Sequence, residues 1–316
     1  MNLENLNPQQ LQAVQHDEGP LMVVAGAGSG KTRVITCRIA NLIQEKQDSP
    51  ESILAITFTN KAAGEMKERV RNMLDFRGAS PWISTFHSFC LRILRKHISE
   101  LGFSNDFAVY DAQDQLTLVK QCMKVKEISA DAFPPKTLLN HISSFKNDFL
   151  MPEDVKQEEI PYGHQHKAAG LYPVYQAALK KNNALDFDDL LVFAGRLFQE
   201  VPNLQRHYSE KFKYIMVDEF QDTNAAQYKL VRLLSETHKN ICVVGDDDQS
   251  IYRWRGANIE NILKFENDYP GTTVIKLEEN YRSTQNILNA AGSVVKENKN
   301  RKDKTLWTQN EKGSPV

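Results

Sequence analysis

Short unbroken apolar runs alternate with longer stretches of helical period at the start of the chain. Leu21-Met22-Val23-Val24 has the pattern of a strand buried on both faces. Val34, Ile35, Ile39, Leu42 and Ile43 follow it at helical spacing. Ile53-Leu54-Ala55-Ile56-Thr57-Phe58 reads as a second buried strand and is followed by a helix from Ala62 to Met73. Trp82-Ile83-Ser84-Thr85 reads as a third. Ahead of them, Leu6-Asn7-Pro8-Gln9-Gln10 opens a short helix, with Asn7 as N-cap and Pro8 at the first helical position. Strands alternating with helices argue a parallel α/β sheet.

The pattern changes near residue 90. From 90 to 210 the apolar positions keep a helical period and no strand stands out, as in Leu116, Val119 and Cys122, or Leu190, Leu191, Phe193 and Leu197. Pro134-Pro135 and Met151-Pro152 divide this stretch into short helices. Strand-like runs then return at Tyr214–Val217, Ile241–Val244 and Thr273–Leu277, with a helix from Ala225 to Leu234. The expected fold class is therefore α/β: a parallel-sheet core from 1–89 and 211–280, carrying an α-helical insert at 90–210.

Length and composition leave this picture intact. A chain of 316 residues, 41% hydrophobic and 25% charged, suits two globular domains, or one core with a large insert. No run is long and apolar enough for a membrane span, and the polar N-terminus has no signal-peptide pattern. Cys37, Cys90, Cys122 and Cys242 have no metal-ligand spacing and read as reduced thiols in a cytoplasmic protein. A net charge of −1 does not mark a nucleic-acid binder, although a local basic groove is compatible with it. The Lys-, Asn- and Arg-rich stretch from Lys296 to Lys304 reads as solvated surface.

Chemistry concentrates where the strands end. Ala25-Gly26-Ala27-Gly28-Ser29-Gly30-Lys31-Thr32 lies between a strand and a helix, the context a phosphate-binding loop requires. Glycines let backbone N–H groups turn toward an anion, the helix N-terminus adds a positive dipole end, and Lys31 adds a full charge. Thr32 offers a hydroxyl to Mg²⁺. The strict motif opens with Gly, and Ala25 departs from it. Asp218-Glu219 closes a later strand, at the sheet edge where ligands bind. There Asp218 would hold the metal through water and Glu219 would polarise the attacking water. The plainer reading is an acidic pair complementing a helix dipole, and it weakens beside a phosphate loop.

Gly245-Asp246-Asp247-Asp248-Gln249-Ser250 also follows a strand, and Gln249 there could reach a γ-phosphate. The next residues, Ile251-Tyr252-Arg253-Trp254-Arg255-Gly256, mix aromatics with arginines as stacking on unpaired bases requires. A buried Trp with surface arginines is the alternative. Phe58 and Phe86 lie at strand ends and are candidates for the same platform, while His87 reads either as a ligand contact or as a satisfied core histidine.

Taken in order, AGAGSGKT, TFTNKAA, TFHS, DFDDLL, VDEFQDTN, VGDDDQSIYRWRGA and LEENYRST make the chain resemble the UvrD/Rep/PcrA family of superfamily-one DNA helicases over essentially its whole length. The resemblance implies a RecA-like P-loop core with a helical insert. It implies a 3′-to-5′ motor on single-stranded DNA, driven by ATP and Mg²⁺ and acting at single-strand/duplex junctions in repair or replication. By position, Gln10 would read the adenine edge, and Arg33 and Tyr281 would sandwich the ring. Lys31 and Thr32 would hold phosphate and metal with Asp218 and Glu219, and Gln249 and Arg282 would touch the γ-phosphate. Phe58, Asn60, Thr85, His87, Phe187, Tyr252, Trp254 and Arg255 would contact DNA.

Family members carry a second RecA-like lobe, so 281–316 would be a connector and the start of that lobe, here truncated, and the missing remainder of the lobe would be a partner beside DNA. Other readings are an ATP- and DNA-binding module without turnover, a strand-exchange ATPase on the same core, and part of a helicase–nuclease fusion.

Overall fold

The computed structural model describes residues 4–74, 78–253, 256–298 and 301–316. In chain order the first elements are α1 (Pro8–Gln15), β1 (Leu21–Ala25), α2 (Lys31–Gln44), β2 (Ile53–Thr57), α3 (Asn60–Met73) and β3 (Trp82–Thr85). A mainly helical stretch follows: α4 (Phe86–His97), β4 (Ala108–Val109), α5 (Ala112–Val125), α6 (Pro135–Asn147), α7 (His164–Lys181), β5 (Ala184–Leu185), α8 (Asp189–Glu200) and α9 (Pro202–Lys211). Then come β6 (Tyr214–Val217), α10 (Ala225–Ser235), β7 (Ile241–Gly245), α11 (Glu260–Asp268), β8 (Thr273–Leu277) and α12 (Gln285–Val295).

The chain divides into two units. One comprises Met1–Thr85, Arg206–Thr223 and Leu234–Val316; the other comprises Phe86–Gln205 and Asn224–Leu233. The first unit holds a parallel six-stranded sheet in the order β3-β2-β6-β7-β1-β8. Each residue of β1, β2, β6 and β7 is buried, which is why these strands read as continuous apolar runs rather than alternations. The edge strand β8 is buried only at alternate positions near its end, at Ile275 and Leu277. Val34, Ile35, Ile39 and Leu42 of α2 pack with Val23 and Val244 in one apolar cluster, joined by Met66 and Val70 of α3. Fully burying such a side chain contributes about 1.5–3 kcal/mol.

All six strands run the same way, so their carboxyl ends share one edge. The phosphate loop leaves β1 there, Phe58 leaves β2, Asp218 leaves β6, Asp246 leaves β7 and Glu278 leaves β8. This is the edge at which parallel α/β sheets bind ligands.

The second unit is built around Leu118, Val119, Leu138, Ile142, Leu171, Tyr172, Tyr175 and Leu179 of α5, α6 and α7. Reading 90–210 as free of strands needs correction. Ala108–Val109 and Ala184–Leu185 form a two-residue parallel pair. Two residues are too few to show an alternation, so periodicity could not reveal them. The reading of Lys296–Lys304 as solvated surface also needs correction, because Lys304 is buried. Among the described residues, no helix is long and apolar enough to cross a membrane.

Candidate functional site

The phosphate loop is shaped by its glycines. Gly28 and Gly30 have φ of 70° and 90°, a left-handed conformation that side chains with a Cβ rarely adopt. A Cβ on Gly28 would also stand 2.7 Å from the Asn280 side chain. The Gly26 carbonyl accepts from the Ser29 hydroxyl at 2.7 Å and from the Ser29 backbone N–H at 3.3 Å, closing the turn. α2 begins at Lys31, so its first amides, which have no acceptor within the helix, border the loop. Ala25 is the last residue of β1 and its methyl group lies in the core; only its backbone belongs to the loop edge.

Lys31 and Glu219 meet. The ammonium lies 3.0 Å from the Glu219 carboxylate. Glu219 itself sits at φ 49° and ψ 44°, an uncommon conformation for a side chain of its size and typical of functional positions. Asp218 is buried, accepts the Glu219 backbone N–H at 3.0 Å and bonds the Thr32 side chain. Burial, then the Glu219 charge, push Asp218 up to about 7. Lys31 is engaged by Glu219, and the pair of carboxylates remains short of positive charge. The Thr32 hydroxyl and the Asp218 carboxylate are oxygen donors of the kind a hard divalent cation takes, so these residues fit Mg²⁺.

Gln10 is buried, and its amide nitrogen donates to the Ser29 carbonyl at 2.9 Å. Its oxygen accepts the Asn7 N–H at 3.2 Å in a capping box that starts α1. Each end of the amide keeps one further hydrogen-bonding capacity. Arg33 and Tyr281 are both exposed, and the Arg33 charge acts on the Tyr281 phenol. The Tyr281 hydroxyl donates to Glu279 at 2.7 Å and accepts from Asn7 at 2.9 Å. Arg282 borders the phosphate loop at Gly28. Gln249 donates through its side chain to Asp246.

Two residues that matter to this geometry lie inside the quoted strings but drew no role from sequence. Asn280 is buried and donates to the Ala27 carbonyl at 2.5 Å, while Tyr281 N–H reaches the Gly28 carbonyl at 3.0 Å. Together they tie the stretch after β8 to the phosphate loop. Gln221 is buried and spans from Glu219 to the backbone N–H of Asp246. A glutamine one turn past the carboxylate pair was the available signal.

The residues assigned to DNA fall in both units. Thr57 of β2 pairs with Thr85 of β3, so Phe58, Asn60 and Thr85 share the carboxyl edge of the first unit. Tyr252 follows β7 and is 36% exposed. Trp254 and Arg255 lie outside the described residues.

In the second unit His87 stacks on Phe187, with centroids 3.8 Å apart and planes 18° off parallel. Phe187 remains 52% exposed, an unusual position for a large aromatic in a turn. The turn is held from beneath. Lys146, wholly buried, reaches Asp186 at 2.6 Å and Asp189 at 2.8 Å. Asp186 also accepts from the Tyr175 hydroxyl at 3.0 Å, and Asp186 and Asp189 each accept the other's backbone N–H. Burial alone would lower the Lys146 ammonium, but Asp186 and Asp189 outweigh it and raise it. Burial pulls His87 down to about 4, so its ring is neutral at pH 7.

Residues 6–270 match the family model for the UvrD/REP helicase N-terminal domain. The chain belongs to the UvrD/REP helicase family. Residues 275–316 match the UvrD-like helicase C-terminal domain. The ATP-dependent DNA helicase PcrA of Bacillus subtilis is 52% identical over 314 residues, which is 99% of this chain and 42% of that protein. The proteins of the same name in Staphylococcus epidermidis and Staphylococcus aureus are 51% identical over 99% of this chain and 43% of their own length. The chain thus spans less than half the length of these curated relatives. Within the family, the parallel six-stranded core with a phosphate loop on β1 is the RecA-like P-loop architecture expected from the motifs.

Proposed function

We propose that this chain is the ATP-binding part of a motor that hydrolyses ATP to move 3′-to-5′ along single-stranded DNA and to open duplex at junctions. One observation carries the reading: Lys31 and Glu219 in contact beside Asp218 and Thr32, all at the carboxyl edge of a parallel sheet. In the proposed reaction, the adenine lies against Gln10 between Arg33 and Tyr281. The phosphates lie on the amides of Gly26 to Thr32 and against Lys31. Water attacks the γ-phosphorus in line, the bond to the β–γ bridging oxygen breaks, and Glu219 takes the water's proton. Gln249 and Arg282 hold γ-phosphate oxygens. Thr32 and Asp218 would hold Mg²⁺, which would supply neutralisation of the phosphate charge.

Phosphate binding requires Lys31 to turn from Glu219 to the nucleotide, which frees Glu219 to act as base. DNA contact is assigned to Phe58, Asn60, Thr85, Tyr252, Trp254 and Arg255 in the first unit and, separately, to the His87–Phe187 pair in the second. An exposed Phe187, stacked on His87 and carried by a charge-locked turn, suits sequence-tolerant stacking on bases. Four buried free cysteines fit a reducing, cytoplasmic setting.

The test is Glu219→Gln, with phosphate release measured on oligo-dT beside binding of a fluorescent ATP analogue. Loss of a positioned base costs about 10²–10⁴-fold in turnover. Nucleotide affinity should hold. Wild-type protein that binds nucleotide and DNA yet never releases phosphate would favour the binding-module reading instead.

A further inference from the structure

Lys304 lies in a stretch whose composition promised only solvated surface, yet its side chain is 2% exposed. Its ammonium is 2.9 Å from Asp246, 2.5 Å from Asp247 and 2.6 Å from Asp248. The carboxylate oxygens of these consecutive residues converge within 4.8 Å of one another, so their mutual repulsion would open the turn without a cation among them. Arg301 adds a fork onto Asp248 at 3.1 and 2.9 Å, and the Lys302 backbone N–H donates to Asp247 at 2.5 Å.

This clamped turn is the one that carries Gln249. The Gln249 backbone N–H reaches the Asp246 carbonyl at 2.9 Å, and its side chain donates to the Asp246 carboxylate. The same segment also grips the stretch after β8. Trp307 N–H donates to the Glu278 carbonyl at 3.0 Å, Asn280 N–H to the Trp307 carbonyl at 2.8 Å, and the Thr308 hydroxyl to the Asn280 carbonyl at 2.7 Å. Asn280 in turn holds the phosphate loop at Ala27. Leu306 fills the space beside Gly26. Residues 301–308 therefore bridge the glutamine turn and the phosphate loop.

We propose that Lys304 is a positioning residue for ATP hydrolysis: an internal cation that locks the Asp246–Asp248 turn and so sets Gln249 against the γ-phosphate. The inference rests on the ATPase reading above. Lys304 acts through the three carboxylates of the turn. Removing it lets the turn spread and moves Gln249 while leaving Lys31, Thr32 and Asp218 in place. Turnover falls, and nucleotide binding does not.

DNA-stimulated ATPase and fluorescent-nucleotide binding on wild type, Lys304→Met and the charge-balanced Lys304→Met/Asp247→Asn test this. Misplacing a reacting group by about 1 Å can cost on the order of 10²-fold in rate. We expect kcat to fall by about that factor in Lys304→Met, with KM for ATP and nucleotide affinity unchanged. Lys304→Met leaves buried carboxylates without their cation and could fail to fold, in which case the charge-balanced variant carries the test; it too should fold with a low kcat. A folded charge-balanced variant with wild-type kcat would make Lys304 purely structural and overturn the proposal. Absence of ATPase in the wild type would instead remove the reading it rests on.

Discussion

Gln221 accepts the Asp246 backbone N–H at 2.9 Å, and its own side-chain nitrogen donates to Glu219 at 3.0 Å. One buried amide thus joins the carboxylate pair after β6 to the glutamine turn after β7. With Lys31 on Glu219 and Gln249 on Asp246, the phosphate loop, Glu219 and Gln249 form one hydrogen-bonded chain. Such networks polarise their members and hold geometry better than separate pairs do.

Gln221→Leu should lower turnover by about 10²-fold, because both Glu219 and the Asp246 turn lose a fixed partner. It also strands the buried Asp246 N–H, at about 1–3 kcal/mol of stability. Phosphate release and urea unfolding measure the two effects. Unchanged turnover would separate Gln221 from the mechanism.

Phe187→Ala should weaken single-stranded DNA binding by about 5–150-fold, the equivalent of roughly 1–3 kcal/mol for one lost base stack. Phe187 is 52% exposed, so little core packing is lost and the unfolding midpoint should barely move. Anisotropy on oligo-dT and on a mixed sequence should give similar losses. Affinity equal to wild type would exclude a stacking role.

His87 supplies a pH signature. Its folded pKa is about 4 because of burial, against 6.5 for a free imidazole. Between those values the unfolded chain binds more protons than the folded one, so stability rises with pH across the window. The contribution is fully present above pH 6.5 and is lost as pH falls through about 4. His87→Phe keeps a ring on Phe187 but does not titrate. Its denaturation midpoint should depend less steeply on pH in this window than that of wild type; an identical slope would place His87 in an open, solvated setting.

Lys146→Met should destabilise the helical unit by about 3–5 kcal/mol, since Asp186 and Asp189 lose their buried counter-charge. Chemical denaturation measures it. Asp189→Asn added to Lys146→Met should recover part of the loss by removing one orphaned charge. A loss below about 1 kcal/mol would mean the pair is solvated.

Much of the core could be read in the chain. Leu21–Val24, Ile53–Thr57 and Tyr214–Val217 appear as strands because a strand buried on both faces must be apolar throughout, and that requirement is local. The phosphate loop was legible for a similar reason. Its geometry needs Gly28 and Gly30 at fixed offsets from Lys31, so the motif is contiguous. The carboxylate pair announced itself by following a buried run. Periodicity failed at Ala108–Val109 and Ala184–Leu185, whose pairing joins residues far apart in the chain.

By itself the sequence determined the chain order of the six core strands, the parallel α/β class, the phosphate loop and the family, because each is written in short-range pattern. Only the tertiary structure decided that Lys31 meets Glu219 and that His87 stacks on Phe187. The same holds for Gln221, which bridges two loops, and for Lys304, which leaves the solvent to sit among three carboxylates. The reason is physical. A charged or polar residue reads as surface until a partner is known, and a partner tens or hundreds of residues away is supplied by sheet order and packing, not by its sequence neighbours.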